Sequence, residues 1–119
     1  KDGDYLGGAI APGIEISAEA LFTRTAKLPR VELTAPRKAI GRNTVASIQS
    51  GVVFGYIGLV EGLVARIRQE LGGQARTVAT GGYANVIAKH TPAIEVVNQD
   101  LTLIGLRLIY EMNRSGKEG

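Results

Sequence analysis

The chain has 119 residues, of which 45% are hydrophobic and 21% are charged, and it contains four Tyr, two Phe and no Trp. This composition supports one compact core of aliphatic side chains and excludes a disordered tail or a collagen-like fibre. It has no Cys and a single His, His90, which excludes disulfides and Cys-based zinc sites and makes His-clustered metal sites unexpected. The only Met is Met112 and the first residue is Lys1, so we expect the chain to be a piece of a longer protein.

The net charge is +3, and the positive charge is concentrated in one segment that holds six basic residues against one acidic residue, Glu32. Its basic residues are Arg24, Lys27, Arg30, Arg37, Lys38 and Arg42. Such a stretch indicates either an anionic partner or a solvated loop, and the sequence leaves both open. Nucleic acid is not expected, because no aromatic residues alternate with these charges. No signal peptide pattern is present, and a cytoplasmic location is expected.

In the first third of the chain, residues 3–13 predict a short strand that leads into a glycine-rich turn. A first helix is predicted from about Ile16 to Ala26, with Ser17 as a candidate cap. Pro29 and Pro36 bracket an extended stretch, because proline disfavours helix in the residue before it.

A long helix is predicted from Asn43 to Leu71 and closed by Gly72 and Gly73. Four glycines share one face of this helix: Gly51, Gly55, Gly58 and Gly62. Each weakens a helix by about 1 kcal/mol relative to Ala, so the stripe predicts close approach of another backbone, within the lobe or from a second subunit. A membrane span is not expected, because the uninterrupted apolar run from Gly51 to Val60 is too short.

The second half alternates helices with strands. Strands are predicted over Arg76–Thr80 and Ala93–Val97, and a short helix from Ala84 to His90 places His90 at the surface. A last helix begins after Asp100 or Thr102 and runs to about Asn113, followed by a frayed tail. This alternation indicates an α/β lobe, with a sheet covered by helices.

Three segments are candidates for binding. Thr80, Gly81 and Gly82 follow a strand, where two glycines let a ligand approach the backbone, or they form an ordinary turn. The segment 41–44 begins the long helix, whose free N–H groups suit an anion or are simply capped. The segment 7–13 is a fixed turn with small side chains. The acidic residues form no obvious pair, so we nominate no catalytic residue and no metal ligand.

Seven segments together resemble the C-terminal half of the type III pantothenate kinase family, also called the Bvg accessory factor family. They are Gly7-Gly8-Ala9-Ile10-Ala11-Pro12-Gly13, Ser17-Ala18-Glu19-Ala20-Leu21, Lys27-Leu28-Pro29, Gly41-Arg42-Asn43-Thr44, Gln49-Ser50-Gly51, Ala79-Thr80-Gly81-Gly82 and Leu101-Thr102-Leu103-x-Gly105-Leu106. No single segment is specific, but all seven occur in register over nearly the whole chain.

The resemblance implies a ribonuclease-H-like lobe of the actin, hexokinase and Hsp70-like kinase superfamily, incomplete at its N-terminus. Residues 1–119 would be part of the C-terminal lobe, with the N-terminal lobe and the first strands of this lobe absent. It also implies an enzyme that transfers the ATP γ-phosphate to pantothenate, the first step of coenzyme A synthesis, as a cytoplasmic homodimer. Mg²⁺ and a monovalent cation, K⁺ or NH4⁺, would assist. Thr44, and more weakly Ile10, would contact pantothenate, and Gly81 and Gly82 would lie on the ATP side.

Three motifs of that family are missing from the chain, namely Asp-x-Gly-Asn-Thr, Gly-x-Asp-Arg with the catalytic base, and Asp-x-Gly-Thr-Ala-x-Thr with a cation ligand. The segment alone is therefore expected to be inactive. The alternatives are a transcription-linked regulator of the Bvg accessory factor type, another small-molecule kinase of the superfamily, and an isolated lobe that only dimerises or binds nucleotide.

Overall fold

The computed structural model describes residues 3–24 and 28–118, with side chains described as far as residue 114. It is a mixed α/β structure of five α-helices, one π-helical turn and a two-stranded parallel sheet in the described ranges. The α/β expectation is confirmed at this level. The chain forms two compact units, Lys1–Val53 and Phe54–Gly119.

The first unit contains helix α1 (Ile14–Arg24) and the beginning of the long helix. The strand predicted within residues 3–13 is wrong, because the described residues offer no neighbouring strand to pair its backbone groups. Helix α1 begins two residues earlier than predicted. Ser17 lies inside the helix, where its N–H donates to the Gly13 carbonyl at 3.0 Å, so it is not the cap. Ala26 lies outside the described residues.

The long helix spans Thr44–Glu70, which confirms the helix predicted from Asn43 to Leu71. It consists of α2 (Thr44–Gln49), a π-helical turn (Ser50–Phe54) that the sequence did not predict, and α3 (Gly55–Glu70). The chain leaves the helix through Gly72 and Gly73, whose φ angles of +82° and +88° favour glycine.

The second unit holds the sheet, in which β1 (Val78–Ala79) pairs in parallel with β2 (Val96–Val97). Both predicted strands exist but are shorter than predicted. Thr77 joins them, because its hydroxyl donates to the Ala93 carbonyl and accepts the Glu95 N–H at 3.1 Å. Arg68 ties α3 to the sheet by donating to the Ala75 carbonyl at 3.1 Å and forming an ion pair with Glu95.

Two further helices complete this unit. Helix α4 (Ala84–Ala88) contacts β2, buries Ala84 and Ile87, and ends before Lys89, so the exposed position predicted for His90 is confirmed. Helix α5 (Leu101–Glu118) continues through the tail predicted to fray. Most of its large apolar residues are exposed, with Leu103 at 67% and Met112 at 72%, whereas Ile104 is half-buried.

The glycine stripe faces open space in the described chain. A Cβ placed at Gly51, Gly55, Gly58 or Gly62 would meet no atom within 4 Å. The described residues therefore do not supply the close backbone neighbour that the stripe predicts within the lobe.

The long helix also corrects the length argument against a membrane span. Its 27 residues are long and apolar enough to cross a bilayer by length and composition alone. Core helices of globular proteins meet the same criterion, and Glu61, Arg66 and Arg68 lie in its second half.

Candidate functional site

The first unit contains a cleft of about 540 Å³ at the start of the long helix. It is lined by Leu21, Leu28, Gly41, Arg42, Asn43, Thr44, Ser47, Ile48 and Gly51. This volume suits a small metabolite.

The polar wall of the cleft is organised by the helix cap. Asn43 is extended (φ −142°, ψ 170°), and its side-chain oxygen accepts the Ala46 N–H at 2.8 Å. The Asn43 carbonyl accepts the Ser47 N–H at 2.9 Å and begins the helical ladder. Asn43, at which the predicted helix begins, is therefore the N-cap, and its side chain satisfies one of the orphan N–H groups of the first turn.

Gly41 allows the loop to cross directly over the helix start. A Cβ at this position would lie 2.4 Å from the Ser47 nitrogen and 2.6 Å from its Cα, far inside contact distance. The Gly41 carbonyl accepts the Ser47 hydroxyl at 3.3 Å. Two other side chains hold the preceding loop, since Gln49 donates to the Glu32 carbonyl at 3.0 Å and Ser50 donates to the Ala39 carbonyl.

The cleft is chemically two-sided. Leu21, Leu28 and Ile48 give it apolar surface, whereas Arg42 and Thr44 add a guanidinium and a hydroxyl. This combination suits a short organic molecule with an aliphatic body, hydrogen-bonding groups and one negative charge.

The basic segment of the sequence is not uniformly available for an anion. Arg30 pairs with Glu19, and its guanidinium lies 5.6 Å from the centre of the Phe22 ring. Arg37 and Lys38 are exposed outside the cleft, whereas Arg42 lines it. Lys27 lies outside the described residues.

The second candidate site, the glycine turn (Thr80, Gly81 and Gly82), lies in the second unit. It joins the carboxyl end of β1 to α4, and Gly81 adopts φ +111°. Because L side chains rarely adopt this angle, the turn requires glycine at residue 81. The Gly81 carbonyl accepts the Gln99 side-chain amide at 2.9 Å and the Ala84 N–H at 3.3 Å.

Of the residues predicted to bind substrate, Thr44 lines the cleft and Ile10 does not, since Ile10 is fully exposed. Gly81 and Gly82 form the turn at the end of β1. Sequence reasoning missed Leu21, Leu28, Ser47 and Ile48 as cleft residues. Leu21 and Leu28 reach the helix start only through the fold, whereas Ser47 and Ile48 lie one turn beyond the segment 41–44. It also missed Gln99, whose sole signal was its position two residues after a predicted strand.

No three side chains of His, Cys, Asp or Glu lie close enough to hold a metal ion in the part of the chain that the structure describes. The described residues therefore do not form a metal site from protein side chains alone.

Comparison with known proteins finds one family over this chain. The model of the type III pantothenate kinase family matches residues 1–66. A type III pantothenate kinase of Dehalococcoides mccartyi strain BAV1 is 60% identical over 114 residues, covering 96% of this chain and 43% of that protein. Those of Brevibacillus brevis and Roseiflexus sp. strain RS-1 are 60% and 62% identical, and the chain covers 44% and 45% of them. The chain thus spans less than half the length of these curated relatives.

Proposed function

Because this chain belongs to the type III pantothenate kinase family, we propose that it serves in the ATP-dependent phosphorylation of pantothenate. This reaction is the first step of coenzyme A synthesis and would yield 4'-phosphopantothenate. The observation that supports this proposal is about 60% identity to type III pantothenate kinases over nearly the whole chain. Because the chain covers under half of those relatives, the activity is proposed for a complete protein that contains it.

We propose that the cleft forms part of the pantothenate-binding site. Pantothenate has an aliphatic body, hydroxyl and amide groups and one carboxylate, which match the two-sided lining of the cleft. Thr44 would hydrogen-bond the substrate, and Arg42 would attract its carboxylate. Ile10 remains a proposed contact, although nothing in the cleft lining supports it.

We propose that the glycine turn forms part of the ATP-binding site. Ligands of open α/β sheets bind beyond the carboxyl ends of the strands, which is where Gly81 and Gly82 follow β1. Two residues without side chains let a nucleotide contact the backbone there. Mg²⁺ and a monovalent cation, K⁺ or NH4⁺, are proposed from the family alone.

We propose that this chain binds and orients the two substrates and does not itself transfer the proton. The catalytic base and the metal ligands are proposed to lie outside it. Residues 1–119 would form part of a ribonuclease-H-like C-terminal lobe, a proposal supported by the two parallel strands and by α4, which contacts β2. Positioning is itself a large part of catalysis in phosphoryl transfer.

The direct test assays the complete protein with ATP and pantothenate, and follows 4'-phosphopantothenate and ADP. We expect turnover that requires both substrates, whereas the 119-residue chain alone is expected to be inactive. Absence of turnover in the complete, folded protein would reject the function. The regulatory alternative and a kinase for another substrate are not favoured by any observation here.

We propose that the protein is a homodimer and that the open glycine stripe packs against protein. The supporting observation is that a Cβ at Gly55 or Gly58 meets nothing in the described chain, although each glycine weakens the helix. Replacing both residues by Leu should convert the dimer to monomer in light scattering after gel filtration. An unchanged dimer with an unchanged melting temperature would contradict the proposal.

We also propose a cytoplasmic protein that contacts neither membrane nor nucleic acid. The ion pair between Arg68 and Glu95 ties one end of the long helix to the sheet, which favours a packed helix over a membrane span. Recovery in the membrane pellet after an alkaline carbonate wash would contradict this.

A further inference from the structure

The carboxyl ends of the two parallel strands bring Gln99 to the glycine turn. β1 leads into Thr80, Gly81 and Gly82, and β2 leads into Asn98 and Gln99. The two loops lie side by side because Val78 pairs with Val96 and Ala79 with Val97.

The backbone on both sides of Gln99 is held. The Asn98 N–H donates to the Ala79 carbonyl at 2.9 Å and extends the sheet by one residue. The Asn98 side-chain oxygen accepts the Asp100 N–H at 3.0 Å, and α5 begins at Leu101. Gln99 is therefore fixed between the sheet and a helix, and its side-chain amide donates to the Gly81 carbonyl at 2.9 Å.

This hydrogen bond fixes the direction of one peptide plane. The Gly81 carbonyl accepts hydrogen bonds from the Gln99 side-chain amide and from the Ala84 N–H. Gly81 itself adopts a φ of +111°. In a trans peptide the carbonyl and the following N–H point in opposite directions. Turning the Gly81 carbonyl toward Gln99 therefore directs the Gly82 N–H away from it.

We infer that Gln99 is a positioning residue for nucleotide binding, which orients the Gly81–Gly82 peptide so that the Gly82 N–H faces the nucleotide. The inference rests on the proposed function, because it takes the glycine turn as the ATP side. Gln99 itself acts through the turn and needs no contact with ATP. A glycine turn without this anchor would sample other peptide orientations, and ATP binding would have to select one of them.

The test compares Gln99→Leu and Gln99→Glu in the complete protein. Leu removes all polarity, whereas Glu keeps the shape and replaces the N–H donor with an acceptor. We expect both to raise the KM for ATP by about three- to tenfold, the usual effect of one lost hydrogen bond. The KM for pantothenate and the melting temperature should stay at the wild-type values. Gln74→Leu is the matched control, because Gln74 is an exposed glutamine in the loop before β1.

An unchanged KM for ATP in both variants would overturn the inference. A parallel rise in both KM values with a lower melting temperature would also overturn it, because that pattern belongs to a general structural role. Hydrogen–deuterium exchange of residues 81–84 tests the role of Gln99 without depending on the proposed reaction. Faster exchange in Gln99→Leu supports the anchor even if the wild type does not phosphorylate pantothenate, and equal exchange rejects it.

Discussion

The cleft and the glycine turn are two candidate binding sites that are built in different ways. The cleft presents side chains, including Arg42, Thr44 and Leu21, on a backbone crossing held tight by Gly41. The glycine turn presents backbone groups, and its Gly81 is required for its φ angle rather than for space, since a Cβ there would meet no atom. Side-chain removal should therefore impair the first site selectively, whereas the second responds to changes in backbone geometry.

The largest effect is expected from a substitution that forces the loop at Gly41 away from the start of the long helix. Gly41→Ala places a Cβ 2.4 Å from the Ser47 backbone nitrogen, which cannot move without disturbing the first turn of the helix. We expect the free energy of unfolding to fall by about 1–3 kcal/mol, the usual cost of overpacking. Chemical denaturation of the complete protein measures this.

Gly13→Ala is the matched control in the same unit, because a Cβ at Gly13 meets no atom within 4 Å. Its stability should stay within about 0.5 kcal/mol of the wild type. Equal stability of the two variants would show that the loop does not cross the helix as tightly as described.

The smallest effect is expected from charges outside the cleft. Reversing Arg37 and Lys38 to Glu should raise the KM for pantothenate only about twofold at low salt, because exposed charges act weakly and are screened. Arg42→Gln removes a charge in the cleft lining and should have the larger effect. An unchanged KM and salt dependence in the double variant would reject any role for the outer charges.

Local sequence signals predicted the helices better than the strands. Asn43 and Gly72 mark the ends of the long helix by chemistry that acts within a few residues, and both ends agree with the structure. Strands depend on partners that local signals do not specify, which is why the strand predicted over residues 3–13 is wrong. The π-helical turn at Ser50–Phe54 had no sequence signal that we recognised.

The same distinction between local and long-range signals applies to the candidate binding residues. Thr44 and Gly81 lie in contiguous motifs, so a resemblance could nominate them. Leu21 and Leu28 reach the cleft from an earlier part of the chain, and Gln99 reaches the turn from the next strand. Leu21 and Leu28 lie in other motifs of the resemblance and Gln99 lies in none, and all three reach the two candidate sites only through the fold.

We propose that the cleft binds pantothenate while the glycine turn binds ATP. The most direct measurement is both KM values, side by side, for Thr44→Val and Gly81→Ala in the complete protein, with Thr23→Val as an exposed control on α1. We expect Thr44→Val to raise the KM for pantothenate about three- to tenfold with the KM for ATP unchanged, and Gly81→Ala to do the reverse. If both KM values rise together in each variant, or if Thr44→Val changes neither, the assignment of the two sites is contradicted.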